Sequence, residues 1–430
     1  MSNIFKYFIL LILLNNCSLD TKSGIWTEKK NIKIEKDNIS KIFSKDEVLE
    51  KEFNPNLKIK LTSRLKNNSF VNNLTNNNGR INYNGDLKKI SKFKFSKIKN
   101  FKYYEPNMIL ESDNLIFFNK NGSVVKFDLD SKIIWKKNYY KKEEKKLNPI
   151  LTFTQNSDTL IVTDNISKYY ALNIKNGDLL WSKYNSSPFN SQIKVYKDKF
   201  FVIDLDNTLR CISIKDGAEL WSISANDTFI KSPKKLSIIV VDNVLYFNNS
   251  TGDISAVDIN TGSMLWQRPT QNSSIYENTF SLKMSNLVAN NEMIVFSNNK
   301  NEFYSIDLKT GSLKWKQSIN SSVQPSIINN LIFTVSNEGF FIILDTKTGN
   351  VLRVTDLFGN YRKKNFIPIG FVVGSKNIYL TTNKGRLFVA DIETGKTKSI
   401  IKIDNNQISR PFILEKNLFL IKEDAIIKLD

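Results

Sequence analysis

The side chains best suited to chemistry in this chain recur in one arrangement. Residues 304–315 read YSIDLKTGSLKW, which brings Asp307, Lys309 and Trp315 into one short stretch. A carboxylate, an amine and an indole in such proximity suggest an acid, a base and an aromatic platform. Sibling phrases stand at 255–266 (SAVDINTGSMLW), 210–221 (RCISIKDGAELW) and 170–181 (YALNIKNGDLLW). The acid recurs at Asp258, Asp307 and Asp345. Carboxylates distributed in this way around a repeat do not converge on one substrate. They do suit a turn, in which an Asp side chain holds the backbone and a glycine supplies positive φ. Gly177, Gly217, Gly262, Gly311, Gly349 and Gly395 occupy that turn position. The tryptophans that close the phrases, Trp135, Trp181, Trp221, Trp266 and Trp315, read as apolar plugs between neighbouring sheets.

Other chemistry is restricted by composition. The chain has no histidine, which removes Ser-His-Asp and Cys-His arrangements and imidazole metal ligands. The two cysteines are Cys17 and Cys211, and no structural disulfide is expected. Cys211 falls at the register of Ala171, Ala256 and Ser305, a slot for small core residues. No catalytic residue, metal ligand or cofactor-binding residue is assigned, and the chain is not read as an enzyme.

The elements that carry these phrases are short strands. Runs such as NLIFF, TLIVT, KFFVI, VLYFN, MIVFS and LIFTV are β-branched and aromatic. Proline heads six of eight units, at Pro106, Pro149, Pro233, Pro325, Pro368 and Pro411, where it sacrifices no ladder hydrogen bond. Pro106 to Pro149, Pro325 to Pro368 and Pro368 to Pro411 are each 43 residues apart. A period of about 40–45 residues with several short strands per unit indicates a β-propeller. The fold expected is all-β: an eight-bladed β-propeller of four-stranded antiparallel blades over residues 86–430. The C-terminal unit is short of a strand. The segment DLKKISKFKFSKI (86–98), with Ile90, Phe93 and Phe95 between lysines, is expected to complete the last blade and close the ring. The sixth and seventh units carry Arg353 and Ser399 in place of the tryptophan, which reads as degeneration of the repeat.

Before the repeat lies an address. Residues 1–16, MSNIFKYFILLILLNN, carry Lys6 and the apolar run Tyr7–Leu14, too short to span a bilayer, which takes roughly 20 residues. Together with Cys17 the segment resembles a bacterial lipoprotein signal, although Asn16 stands where a small residue is usual. An ordinary signal peptide or an uncleaved anchor is the alternative. Lipidation of Cys17 is expected, and Ser18 after it points to the outer membrane. Residues 17–85 read as a lipid-anchored, mostly irregular basic tether. Between Glu28 and Lys102 there are nineteen Lys or Arg against eight Asp or Glu. SKDEVLEKEF (44–53), with Ser44 as N-cap, allows a short helix.

The net charge of +20 would suit an anionic partner, but it is spread along the chain and not gathered in one patch. Lysine- and asparagine-rich loops account for it without any nucleic-acid role.

The phrases ALNIKNGDLLW, AVDINTGSMLW and SIDLKTGSLKW resemble the repeat of the pyrroloquinoline-quinone-like β-propellers over roughly 106–430. With the lipoprotein-like start and eight units, the layout is similar to the BamB-type propeller lipoproteins of the outer-membrane β-barrel assembly machinery. That resemblance implies a non-catalytic scaffold on the periplasmic face of the outer membrane. Its partner would be the main barrel subunit (BamA-like), engaged through its periplasmic domains, and unfolded outer-membrane proteins are further possible partners. By position it implies a docking patch in NDTFIKSP (226–233), with Phe229 and Ile230 as apolar anchors and Lys231 in the basic place. The acidic half of such a patch would fall on 272–284, where Glu277 is the only candidate. Other readings of the layout are an envelope adaptor, a polyanion- or lipid-binding propeller and, least favoured, a quinone-dependent dehydrogenase. The last lacks an adjacent cysteine pair and a clustered acidic site.

Overall fold

Alternating short strands and tight turns give eight four-stranded antiparallel sheets, arranged as the blades of a propeller. The structure is a computed structural model. It describes residues 51–63, 65, 79–99, 101–111, 113–224, 230–270, 282–414 and 416–430, all within the unit Val48–Asp430. Blades 1 to 7 span 109–137, 151–184, 194–224, 238–268, 288–317, 326–356 and 368–402, each with its strands in chain order. The first strands of successive blades from blade 1 to blade 6 approach one another around the central axis.

Blade 8 is built from both ends of the repeat region. Strands Phe412–Leu414, Asn417–Lys422 and Ala425–Leu429 are completed by Lys89–Lys94, which pairs antiparallel with the C-terminal strand. The expected closure is therefore present. Phe93 is fully buried, 5.7 Å from Phe127 of blade 1 and 6.4 Å from Phe419 of blade 8 between ring centroids. Phe95 packs on Phe117. Ile90 does not join them: the register shifts between Lys89 and Ser91, and this bulge leaves Ile90 exposed.

The repeated phrase is an interlock between blades. Each turn glycine has φ between 67° and 76°, and a Cβ on it would collide with the preceding blade. At Gly349 that Cβ would meet the Trp315 ring at 2.5 Å, and Gly177, Gly217, Gly262 and Gly311 face Trp135, Trp181, Trp221 and Trp266 in the same way. Glycine is required both for the backbone angle and for the close approach of an indole. Three indoles also donate to the carbonyl three residues before that turn glycine: Trp181 to Ile214, Trp266 to Leu308 and Trp315 to Thr346.

Blade 6 is not degenerate at this point. Arg353 is fully buried and donates to the carbonyls of Ile392, Glu393 and Leu57. Its guanidinium reaches the same turn carbonyl that an indole reaches elsewhere. Ser399 of blade 7 has a different explanation. Blade 8 has no hairpin between its third and fourth strands, because those strands are the two ends of the repeat region. There is no turn glycine for an indole to cover.

Residues 51–63 and 79–85 have almost no regular secondary structure, yet they pack along blades 6 to 8. Phe53 exchanges two backbone hydrogen bonds with Val354 on the outer strand of blade 6. Phe53 is thus extended, while the rest of the candidate helix at 44–53 lies largely outside the described residues. Ile59, Ile81 and Tyr83 are buried, and the Tyr83 hydroxyl donates to the Asp430 carbonyl at 2.5 Å. The segment runs beside the seam that closes the ring. Cys17 and residues 1–50 lie outside the described residues.

Candidate docking surface

One face of the ring carries the hairpins between second and third strands together with the loops that lead from blade to blade. The other face carries the Asp-Gly turns. Asp307 accepts from the backbone N–H groups of Lys309 and Thr310 at 3.0 Å each, and Asp258 and Asp345 repeat the pattern. The Thr310 N–H, helped by the Thr310 hydroxyl, holds the Asp307 carboxyl below its ordinary range. The corresponding Thr261 and Thr348 N–H groups lower Asp258 and Asp345. These carboxylates are occupied in holding turns. Cys211 is fully buried, and burial pushes its thiol up to about 12, as suits a core residue and not a nucleophile.

The loop named by the resemblance lies on the first face, between blades 3 and 4. Phe229 and residues 225–228 lie outside the described residues, as does Glu277. Ile230 is buried at 4% exposure, beneath the rim. Lys231 is exposed, and its ammonium pairs with Asp206 at 2.9 Å, which holds the Asp206 carboxyl below its ordinary range. Both partners are well hydrated, so the pair is worth roughly 0–1 kcal/mol.

The hairpin that presents Asp206 is rigid for a reason. Asp204 is fully buried and accepts from the backbone N–H groups of Asp206 and Thr208 and from Asn185. Arg210 adds two bonds at 2.9 Å to Asp204 and one at 2.6 Å to Glu219. A buried carboxylate with this many donors fixes the hairpin, and through it Asp206 and Lys231. The neighbouring loop is tied down as well: Asn190 donates to the Ser232 carbonyl, and Ser232 N–H donates to Ser250. The sequence reading missed Asp204, Asp206 and Arg210, since no local motif joins a hairpin acid to a loop lysine 25 residues further on.

The same face opens into a central cavity of about 1120 Å³, lined by residues from all eight blades. Among the described residues no group of three or more His, Cys, Asp or Glu is placed to hold a metal ion. Among them also, no helix is long and apolar enough to cross a membrane.

The sequence profile of the family described as "Outer membrane protein assembly factor BamB" matches residues 120–355, from blade 1 to the last strand of blade 6. The chain belongs to the BamB family. A BamB of Shewanella oneidensis is 28% identical over 155 residues, which are 35% of this chain and 36% of that relative. The match thus spans about a third of the relative's length. The crystal structure of BamB from Moraxella catarrhalis aligns with a TM-score of 0.65 at 14% identity, covering 80% of this chain and all of that one. A europium-containing methanol dehydrogenase aligns with a TM-score of 0.63 at 12% identity, covering 79% and 86%. At such identities the two structures share the fold with this BamB-family chain, and the fold alone.

Proposed function

We propose that this chain is a non-catalytic scaffold lipoprotein of the outer-membrane β-barrel assembly machinery. In this reading residues 1–16 are a signal peptide, Cys17 carries the lipid, and residues 17–85 link the anchor to the propeller at the periplasmic face of the outer membrane. The propeller docks to the periplasmic domains of the main barrel subunit (BamA-like) and aids assembly and insertion of outer-membrane proteins. The observation that carries the reading is the match of the family profile across 120–355. The fold alone would not separate it from the dehydrogenase propellers, which share the ring. The recurrent acids are spent on turns.

In this reading the docking site is the rim between blades 3 and 4. Lys231 of the loop forms an exposed charge pair with Asp206, on a hairpin held by Arg210 and Asp204. Ile230 seats the loop from below, and Phe229 next to it supplies the apolar anchor. An aromatic anchor accompanied by charged residues is a usual composition of an interface centre. The test is binding of the purified periplasmic domains of the barrel subunit to the wild type and to the double variant Phe229→Glu, Lys231→Glu. Loss of binding by a folded double variant is expected. Unchanged binding would remove the site assignment.

A further inference from the structure

The basic charge that the sequence spreads along the chain is sorted by the fold. On the face of the hairpins and inter-blade loops, the connections from blade 6 round to blade 2 are 357–367, 383–385, 403–411, 423–424, 95–108, 119–123 and 138–150. They hold thirteen Lys or Arg against six Asp or Glu. The other connections of this face are 165–167, 185–193, 204–207, 225–237, 249–253, 269–287, 299–301, 318–325 and 336–339, and they hold five against six. One half of the face is therefore strongly basic and the other is near neutral. Lys99, Lys102, Lys363 and Lys364 of the basic half are exposed and form no ion pair among the described residues.

The same half carries the exposed apolar tips. Among the described residues, the large apolar side chains left exposed in the connections of this face are Tyr103, Leu147, Tyr361 and Ile367. All four lie in the basic half, on three inter-blade loops that also carry lysines. Two of them are built alike. The Lys102 ammonium sits 4.9 Å from the centre of the Tyr103 ring, and that of Lys364 sits 5.2 Å from the centre of the Tyr361 ring. A single exposed apolar residue is ordinary, but four gathered on one basic half of one face form a pattern that marks a contact surface.

We propose that this half of the face, from the 357–367 loop to the 138–150 loop, rests on a lipid surface that contains anionic headgroups. Phosphate-bearing headgroups answer the lysines, whose long stems let the ammonium groups stay in the headgroup layer while neighbouring tips go deeper. Tyrosine suits that layer, with an apolar ring and a polar hydroxyl, and Leu147 and Ile367 suit the acyl boundary beneath it. A nucleic acid would leave the two aliphatic tips unused, and a small solute would not span three loops. The Lys231 loop, between blades 3 and 4, lies across the ring from the connection between blades 7 and 8. The lipid-facing surface is thus separate from the docking rim and does not depend on the docking reading.

The test is hydrogen exchange of the full chain reconstituted into vesicles of phosphatidylcholine alone, or of equal parts phosphatidylcholine and phosphatidylglycerol. Any anchor is the same in both, so the difference reads the loops. Slower exchange is expected in peptides covering 99–104, 141–148 and 358–367 in the mixed vesicles, with 204–207 and 336–339 unchanged. The protection should fall at about 1 M salt, where the screening length is about 3 Å. It should be lost in the variant Lys99→Glu, Lys102→Glu, Lys363→Glu, Lys364→Glu. If that variant does not fold, Lys363→Glu with Lys364→Glu carries the comparison, with the loss read at 358–367. Equal exchange of the three loops in both kinds of vesicle, or protection that the folded charge-reversed chain keeps, would overturn the proposal. Protection by soluble polyglutamate but not by mixed vesicles would assign the surface to an acidic protein and overturn it as well.

Discussion

Arg353 of blade 6 donates to the carbonyl of Ile392 in blade 7 at 3.1 Å, the contact that Trp315 of blade 5 makes to Thr346 of blade 6 at 2.9 Å. An arginine therefore does the work of an indole at this junction, and in addition binds the Leu57 carbonyl of the N-terminal segment at 2.8 Å. Arg353→Met would remove the donor that three carbonyls, of Leu57, Ile392 and Glu393, share. The expected loss is about 3 kcal/mol in urea unfolding, as for an interior hydrogen-bonded charge. Arg353→Trp, which restores the plug and one donor, should cost less. A methionine variant as stable as the wild type would refute this role.

Closure of the ring depends on one strand. Phe93→Ala removes a fully buried ring wedged between blades 1 and 8 and should cost about 3–5 kcal/mol. Deletion of 86–98 should lower the midpoint of the whole unfolding transition, because an unclosed ring exposes edges on both sides of the gap. A truncated chain that melts like the intact protein would contradict this.

The contact of the N-terminal segment with the C-terminus is separable from that strand. Tyr83→Phe deletes only the hydroxyl that donates to Asp430, and a loss of about 1 kcal/mol is expected. Protease cleavage near residues 79–85 should quicken in the variant, and an unchanged cleavage rate would weigh against the contact.

Acid stability should follow the turns. The Asp258, Asp307 and Asp345 carboxyls are lowered in the folded state, first by the N–H groups of Thr261, Thr310 and Thr348. A depressed pKa contributes stability that is fully present above the unfolded value of about 3.9 and is lost as pH falls through the folded value. Melting temperature should therefore drop below about pH 4. The triple variant Asp258→Asn, Asp307→Asn, Asp345→Asn should show a shallower drop over that range, and an identical slope would remove these three groups from the account.

Much of the fold was legible because its signals are local and repeated. Proline at the head of a unit, glycine at a positive-φ turn and a tryptophan to cover it are each readable within one blade. Phe93 could be placed because its strand alternates beside an incomplete unit. What could not be read depends on contacts between distant residues. Ile90 sits on a bulge, which shifts the register away from simple alternation. Arg353 looked like a decayed tryptophan because its acceptors lie 39 residues ahead at Ile392 and 296 behind at Leu57. The candidate docking loop was found by its place in the layout, whereas Asp206 and Arg210, which organise its surroundings, carry no motif.

The central claim is tested most directly by capturing the tagged full-length chain from membranes of its own cell and identifying what co-purifies. The account predicts the main barrel-assembly subunit in the wild-type capture and its depletion when Phe229 and Lys231 are both glutamate. A folded, membrane-bound wild-type protein that brings down no barrel-assembly subunit would contradict it.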